Sequence, residues 1–222
     1  MRKNKSWLLA LLVMLVLSTV LAACSSDGGD SGDSGDKSDP KILVFGRGGD
    51  SVSLDPAAVT DGESFKVTQN LFETLVNFGA QDTTINPGLA KEWEPSEDGL
   101  TYTFQLEEGI KFHDGTDFNA EAVVANFDRW ANGSGEDFYY YSSMFGGYKE
   151  DEGHVIESVT ADGDYTVVFK LKRPQAPFLK NLAMSPFGIA SPAAIEKSGD
   201  KFGDNPVGTG PFKFVEWKRN DS

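Results

Sequence analysis

The sequence has 222 residues and is strongly acidic, with 20 Lys and Arg against 34 Asp and Glu and a formal charge of −14. This charge argues against nucleic acid or an anionic membrane surface as partner, because both repel it. A single cysteine, Cys24, excludes a disulfide within the chain. His113 and His154 fall on different predicted hairpins, so we expect no metal site and no cofactor.

Residues 1–23 are typical of a cleaved export signal. Arg2, Lys3 and Lys5 precede an apolar run over residues 7–21. The run is shorter than the ~20 residues that a spanning helix needs. It ends in Leu-Ala-Ala-Cys, which resembles the bacterial lipoprotein box and implies that Cys24 carries the lipid. The alternative is an uncleaved membrane anchor.

Residues 24–40 consist mostly of Ser, Gly and Asp and predict a disordered linker. Sixteen such residues span roughly 20–24 Å on average, which clears the lipid headgroups. Metal binding by the Asp residues is the alternative interpretation of this segment.

Structure is expected to begin after this linker. The apolar run at residues 42–45 predicts a strand buried on both faces. The glycine loop after it lacks the phosphate-binding motifs. Apolar residues then recur at helical spacing from Ser64 to Leu75. Glu73 lies off this stripe, so we expect it to form a salt bridge in solvent.

Residues 93–123 predict a hairpin followed by a helix. Tyr102, Phe104 and Leu106 alternate with polar residues, which indicates a strand with one apolar face. A turn at residues 107–109 is expected to lead into a return strand over residues 110–113. Asn119 is the expected N-cap of a helix with an apolar face.

The second half of the sequence predicts a loop, a second hairpin and short helices. Residues 133–147 form a glycine-flanked, aromatic-rich loop, and the hairpin follows over residues 155–171. Pro177 and Pro192 suit the first turn of two short helices. Two glycines and two prolines within residues 205–211 predict a rigid turn, and residues 212–217 are strand-like.

Three segments carry a family resemblance. They are Trp-Glu-x-Ser-x-Asp-Gly-x-Thr-Tyr-Thr-Phe with Gly-Ile-Lys-Phe-His-Asp-Gly-Thr at residues 93–116, Leu-Asp-Pro at residues 54–56, and Asn-Pro-Val-Gly-Thr-Gly-Pro-Phe at residues 205–212. Together they resemble the bacterial extracellular solute-binding proteins of the oligopeptide/dipeptide class, family 5. Proteins of this class are the capture subunits of ABC importers.

The resemblance implies an α/β fold, a lobe like that of type II (Venus-flytrap) periplasmic binding proteins with an inserted β-rich subdomain. Residues 41–75 and 187–222 are expected to form part of a discontinuous domain I, and residues 76–186 an inserted domain II. Members of the class are more than twice as long, so we expect a truncated chain whose second lobe is absent.

The resemblance also implies a function and a site. We expect a non-enzymatic protein, lipid-anchored on the extracytoplasmic face of the cell membrane, that passes short peptides to ABC permease subunits. Thr60, Asp61 and Gly62 match the segment whose backbone lines the ligand cleft in relatives. An exposed extended backbone can pair with a peptide as an added strand. Alternatively, Asp61 only caps the next helix.

Tyr139 and Tyr140 are the other candidate ligand contacts, because a tyrosine offers a flat apolar face and a polar tip. Packing against the neighbouring hairpin is the alternative. The charged groups that fix a peptide's termini are expected in the other lobe. A nickel chelate, glutathione or an oligosaccharide is an alternative ligand. Alternative functions are a surface-anchored hydrolase and a receptor for peptide signals.

Overall fold

A computed structural model describes residues 42–219 of the chain, which divides into a unit ending at Phe45 and a unit from Gly46 onward. Of the first unit, only residues 42–45 are described. They form no strand and are exposed, with Val44 at 88%. The predicted buried strand at residues 42–45 is therefore wrong. An apolar run predicts burial, but a strand forms only with a hydrogen-bonded neighbour, which the run itself does not specify.

The second unit contains six strands, five α-helices and two 3₁₀ helices within the described residues. In chain order they are α1 (Gly62–Leu71), β1 (Val76–Phe78), β2 (Ile85–Pro87), β3 (Ala90–Pro95), β4 (Thr101–Leu106), α2 (Ala120–Ala131), α3 (Tyr139–Phe145), β5 (Ile156–Ala161), β6 (Thr166–Leu171), α4 (Phe178–Leu182), a 3₁₀ helix (Ser185–Phe187), α5 (Pro192–Ser198) and a 3₁₀ helix (Gly199–Asp204).

The main sheet has four antiparallel strands in the order β3-β4-β6-β5, and β1 and β2 form a separate pair. The alternation in β4 is confirmed, since Phe104 and Leu106 are fully buried. Its predicted partner is wrong. Strand β4 pairs with β3 on one side and β6 on the other, so residues 110–113 find both edges occupied. They form only an isolated bridge between Lys111 and Asp117.

Helix α2 covers the sheet as its sequence predicts. Asn119 caps it by accepting a hydrogen bond from the amide of Ala122 at 2.9 Å. Val123, Phe127 and Trp130 are buried. Phe127 meets the sheet edge-on at Phe169 of β6, with ring centroids 4.8 Å apart. The apolar stripe therefore performs the packing role that its spacing predicts.

Two segments that carry the family resemblance contact each other. The Nε2–H of His113 donates to the carbonyl of Gly210 at 2.8 Å, and the amide of His113 donates to Gly208 at 2.9 Å. Next to it, Asp114 accepts a hydrogen bond at 2.6 Å from Ser191, whose hydroxyl also caps α5. The ring bond of His113 joins residues 97 positions apart, so the two motif segments brace one another.

Residues 205–212 have a different role from the one predicted. They pass directly against the end of α1, where the amide of Gly210 donates to the carbonyl of Leu71 at 2.9 Å. The strand expected at residues 212–217 does not form. Phe212 is 54% exposed, and its amide donates to the carbonyl of Asn70 at 3.1 Å. The close approach of this segment to the backbone of α1 explains its glycines better than turn geometry does.

Candidate functional site

The predicted ligand-contact segment lies on the surface at the start of α1, whose first residue is Gly62. Thr60 and Gly62 are exposed, whereas Asp61 is half-buried. Asp61 is the N-cap of α1, and its carboxylate accepts a hydrogen bond from the amide of Ser64 at 2.8 Å. Asp61 therefore caps the helix, as the alternative interpretation of this residue predicts. The cap uses a side-chain oxygen, and the Asp61 carbonyl accepts a hydrogen bond from the amide of Phe65 at 3.3 Å, so Thr60 and Gly62 are the exposed positions of the segment.

Two opposing effects act on the Asp61 carboxyl. Burial raises its pKa, and hydrogen bonds from Ser64 lower it by more, so the pKa lies below its ordinary value of 3.8. The side chain is therefore ionised near neutral pH. A negative charge at this position interacts favourably with the positive end of the helix dipole and stabilises α1.

Tyr139 and Tyr140 belong to the first turn of α3, not to the loop that the sequence predicts. Tyr139 is 52% exposed and meets Tyr140 edge-on, with ring centroids 5.4 Å apart. Tyr140 in turn meets Phe65 of α1 edge-on at 5.8 Å. Because Phe65 lies one helical turn after Gly62, it connects the two candidate contact segments.

The next residue of α3, Tyr141, anchors that helix in the core. Its hydroxyl lies 2.9 Å from Nε2 of the buried His154. Burial lowers the pKa of His154, with a further contribution from Lys172. Burial also raises the pKa of the Tyr141 hydroxyl. Both rings are therefore neutral near pH 7, and they anchor α3 in the core. Tyr139 is exposed, whereas Tyr140 is half-buried and packs against the hydrophobic core.

An apolar cavity of about 300 Å³ opens beside Tyr140. Aromatic and aliphatic side chains dominate its lining, which consists of Phe65, Phe78, Tyr140, Ala183, Met184, Ser185 and Pro186. Phe78 is 39% exposed, so the cavity is open to solvent. A volume of this size lies at the lower end of small-ligand pockets and suits a single side chain.

A second cavity of about 320 Å³ adjoins the first and shares Phe78, Ala183 and Ser185 with it. Its remaining lining is mostly polar and comprises Gln69, Phe72, Glu73, Thr74 and Asn77. We call the first the apolar cavity, the second the polar cavity, and both together the groove. The groove thus offers an apolar end and a polar end with a common wall.

Sequence reasoning missed several groove residues. Phe65 was assigned to the apolar stripe of α1 and hence to the core. Phe78 and Met184 come from distant segments, so no local pattern connects them with Tyr140. The one feature of the sequence that could have placed Phe65 near the candidate site is its position three residues after Gly62.

Other sequence predictions concern parts of the chain that the structure does not describe. The export signal, the linker and the lipid-bearing Cys24 lie outside residues 42–219. Within that range no helix is both long and apolar enough to cross a bilayer. Nor do any three His, Cys, Asp or Glu side chains in the same range group in a way that could hold a metal ion.

Comparison with known proteins identifies close similarity to one family. The model of bacterial extracellular solute-binding proteins, family 5 (middle region), matches residues 84–222. The dipeptide-binding protein of Escherichia coli K12 is 38% identical over 81% of this chain and 36% of its own length. The glutathione-binding protein GsiB of Pectobacterium atrosepticum is 38% identical over 82% of this chain and 33% of its own.

Solved structures agree with the sequence comparison. The periplasmic binding protein DppA from Helicobacter pylori, in complex with the peptide STSA, is 39% identical and superposes with a TM-score of 0.69. The match covers 78% of this chain and 36% of that protein. The chain therefore spans about a third of the length of the relatives that it matches.

Proposed function

We propose, from the premise that this chain belongs to the bacterial extracellular solute-binding proteins of family 5, that it captures short peptides for an ABC importer. Its α/β fold is that of the type II periplasmic binding proteins. The resemblance inferred from the motif segments is confirmed. The division into domain I at residues 41–75 and 187–222 and domain II at residues 76–186 stays a prediction and forms part of this proposal.

The observation that carries the peptide assignment is that Phe65, one helical turn after the segment at Thr60–Gly62, lines the apolar cavity. The exposed main chain can hydrogen-bond to a peptide backbone without regard to its side chains. Phe65, one turn further on, lines the cavity that can take one of those side chains. This combination favours peptides of varied sequence. The peptide ligands of the dipeptide-binding and DppA relatives support the same assignment.

We predict that filling the groove lowers peptide uptake. Ala183 lines both cavities, so Ala183→Leu introduces side-chain volume at their common wall. The added volume excludes part of the bound peptide, and a loss of about 1.4 kcal/mol in binding free energy corresponds to a tenfold loss of affinity. In a strain that lacks the gene, radiolabelled Ala-Phe uptake should be lost. The wild-type gene should restore it, and Ala183→Leu should restore about a tenth at subsaturating peptide.

The matched control is Ala193→Leu, the same change at an exposed position of α5. It should restore full uptake. Thermal melting of both variants checks that they fold. Peptide uptake that is unaffected by deletion of the gene, or by Ala183→Leu, contradicts the proposal.

Glutathione is the second candidate ligand, because the GsiB relative is as similar in sequence as the dipeptide-binding protein. Glutathione is itself a tripeptide with an amino group and carboxylates. The same strains separate the two ligands. If deletion abolishes the uptake of labelled glutathione and leaves Ala-Phe uptake unchanged, the glutathione assignment replaces the dipeptide one.

Membrane anchoring and delivery to a permease complete the proposal. The support for an anchor is the Leu-Ala-Ala-Cys sequence at residues 21–24, followed by a spacer-like segment. Because Cys24 is the sole cysteine, Cys24→Ala should abolish incorporation of labelled palmitate and move the protein from the membrane fraction to the soluble fraction. Ser25→Ala is the matched control and should leave both unchanged. Palmitate labelling of Cys24→Ala contradicts the anchor.

A further inference from the structure

We propose that α3 (Tyr139–Phe145) is an acid-sensitive wall of the groove, held in place by neutral His154. When the imidazole takes up a proton, the helix leaves the core, and the apolar cavity loses Tyr140 from its lining. The release of α3 is independent of the proposed function. Its consequence, weaker peptide binding in acid, rests on that function.

Helix α3 is short and lies between glycines whose backbone is left-handed. Gly135, before the helix, has a φ of 58°, and Gly146, its C-cap, has a φ of 77°. The N-cap, Phe138, makes no side-chain capping hydrogen bond. A helix of seven residues is too short to be stable on its own. It therefore depends on the contacts of its two buried residues, Tyr141 and Phe145.

Two attachments of α3 come from adjacent residues of the turn before β5. Nε2 of His154 lies 2.9 Å from the hydroxyl of Tyr141, and the two ring centroids are 5.9 Å apart. The amide of the next residue, Val155, donates to the carbonyl of Phe145 at 2.8 Å. A displacement of His154 therefore affects both attachments of the helix.

The docked helix leaves no place for a second proton on His154. The residue is 2% exposed, and its Nδ1 atom is buried without a hydrogen-bond partner in residues 42–219. An imidazolium donates from both nitrogens. Its Nδ1–H would therefore lack an acceptor, and its charge would be withdrawn from water. Release of α3 exposes the ring to water and removes both costs.

The charged groups around the His154–Tyr141 pair act in both directions. They are Lys149, Asp151 and Lys172, which act on His154, and Asp128, which acts on the Tyr141 hydroxyl. The two lysines disfavour a charged imidazole. Asp151 favours it, although its carboxylate already accepts the amide of Tyr148 at 2.7 Å. Burial is the largest effect, and together with the lysines it lowers the pKa of His154 below its ordinary value of 6.5.

The direction of the pH dependence follows from this lowered pKa. With α3 released, the imidazole of His154 titrates near 6.5, and with α3 docked it titrates at a lower pH. Docking is therefore at full strength above pH 6.5 and is lost as the pH falls from 6.5 through the lowered pKa. Because one proton is taken up, the opening equilibrium changes by up to about tenfold per pH unit in this window.

Hydrogen exchange of the purified protein at about pH 7.5 and about pH 5.5, corrected for intrinsic exchange rates, tests the release of α3. In the wild type, the amides of Gly147 and Val155, which donate to carbonyls of α3, should lose protection at the lower pH. His154→Gln can still bond to the Tyr141 hydroxyl but takes up no proton. Its protection should be the same at both pH values. The amides of the central strand β4 should stay unchanged in both proteins.

His113→Gln is the matched control, because it is the same change at the only other histidine of the chain. It should retain the pH dependence of the wild type. It also leaves His154 as the sole histidine, so NMR titration of its imidazole measures the pKa directly, even if His154→Gln fails to fold. A pKa at or above 6.5, or equal protection of the wild-type α3 at both pH values, overturns the inference.

Isothermal titration with Ala-Phe at the same two pH values separates this inference from the proposed function. The affinity of the wild type should be severalfold weaker at the lower pH, and that of His154→Gln should be unchanged. If α3 is released and the affinity stays constant, α3 is not a wall of the binding groove and the inference is wrong. If α3 is released and no peptide binds at either pH, the proposed function fails and the release of α3 stands.

Discussion

Gly208→Ala is expected to destabilise the protein by about 3 kcal/mol. A Cβ atom at this position would lie 2.1 Å from the carbonyl oxygen of Leu71 and 2.6 Å from a ring carbon of Phe72. One obstacle is backbone at the end of α1, so it cannot rotate away like a flexible side chain. The loop cannot retreat freely either, because the Gly208 carbonyl accepts the amide of His113 at 2.9 Å.

Urea denaturation measures this effect as a change in the free energy of unfolding. Gly46→Ala is the matched control, since a Cβ there meets nothing within 4 Å. The control should stay within about 0.5 kcal/mol of the wild type, as is usual for surface substitutions. A loss below 1 kcal/mol at Gly208 would show that the loop relaxes, and the close-approach explanation of the motif would then be wrong.

The sequence predicted some parts of the fold correctly and not others. Local chemistry was sufficient where neighbours in sequence decide the structure. Asn119 and Pro192 begin helices as expected, and the turn glycines Gly99 and Gly163 adopt positive φ values of 68° and 77°. The alternating pattern of β4 also gave its buried face correctly. In each case the signal lies within a few residues of its effect.

Prediction failed where a distant segment decides the outcome. Strand β4 pairs with β6, where Phe104 lies opposite Val167, so its neighbour lies more than sixty residues along the chain. Residues 110–113 were the nearer candidate partner for β4. An alternating pattern indicates which face of a strand is buried, but it does not indicate which strand lies beside it. Similarly, Gly208 was interpreted as a turn residue. The sequence does not reveal that the backbone of Leu71 lies against it.

The candidate site follows the same rule. Thr60–Gly62 and Tyr139–Tyr140 could be proposed from sequence, and whether they contact a ligand stays a prediction. The groove beside them could not be proposed, because Phe65, Phe78 and Met184 converge from three separate parts of the chain. Glu73 was assigned to solvent for the same reason. Among the described residues Glu73 forms no salt bridge, and its half-buried side chain lines the polar cavity.

Removal of the Asp55 charge is the second change with a large expected effect. Asp55 is buried, at 4% exposure, and its carboxylate forms an ion pair with Arg129 of α2. It also accepts a hydrogen bond from the amide of Ala57 at 3.2 Å. The guanidinium of Arg129 lies over the ring of Phe138, 4.8 Å from its centre. The pair therefore joins the segment before Thr60 to α2 and to the start of α3.

Asp55→Ala should lower the free energy of unfolding by about 3 kcal/mol, at the lower end of the 3–5 kcal/mol typical of broken buried pairs. The lower end applies because the Arg129 side chain keeps 23% exposure and can partly rehydrate. Urea denaturation provides the measurement. Asp117→Ala removes the acid of an exposed pair with Lys111, so it is the control and should cost below about 1 kcal/mol.

A double-mutant cycle with Arg129→Met separates the pair from the rest of the packing. Asp55→Ala leaves the partly buried Arg129 charge without its partner, and Arg129→Met does the same to the buried Asp55 charge. The double change leaves neither charge. The double variant should therefore be clearly more stable than the sum of the two single losses implies. Strict additivity would mean that Asp55 acts through its bond to Ala57 alone. The Leu-Asp-Pro element would then stabilise its own turn and not join the Thr60 segment to the helices around the groove.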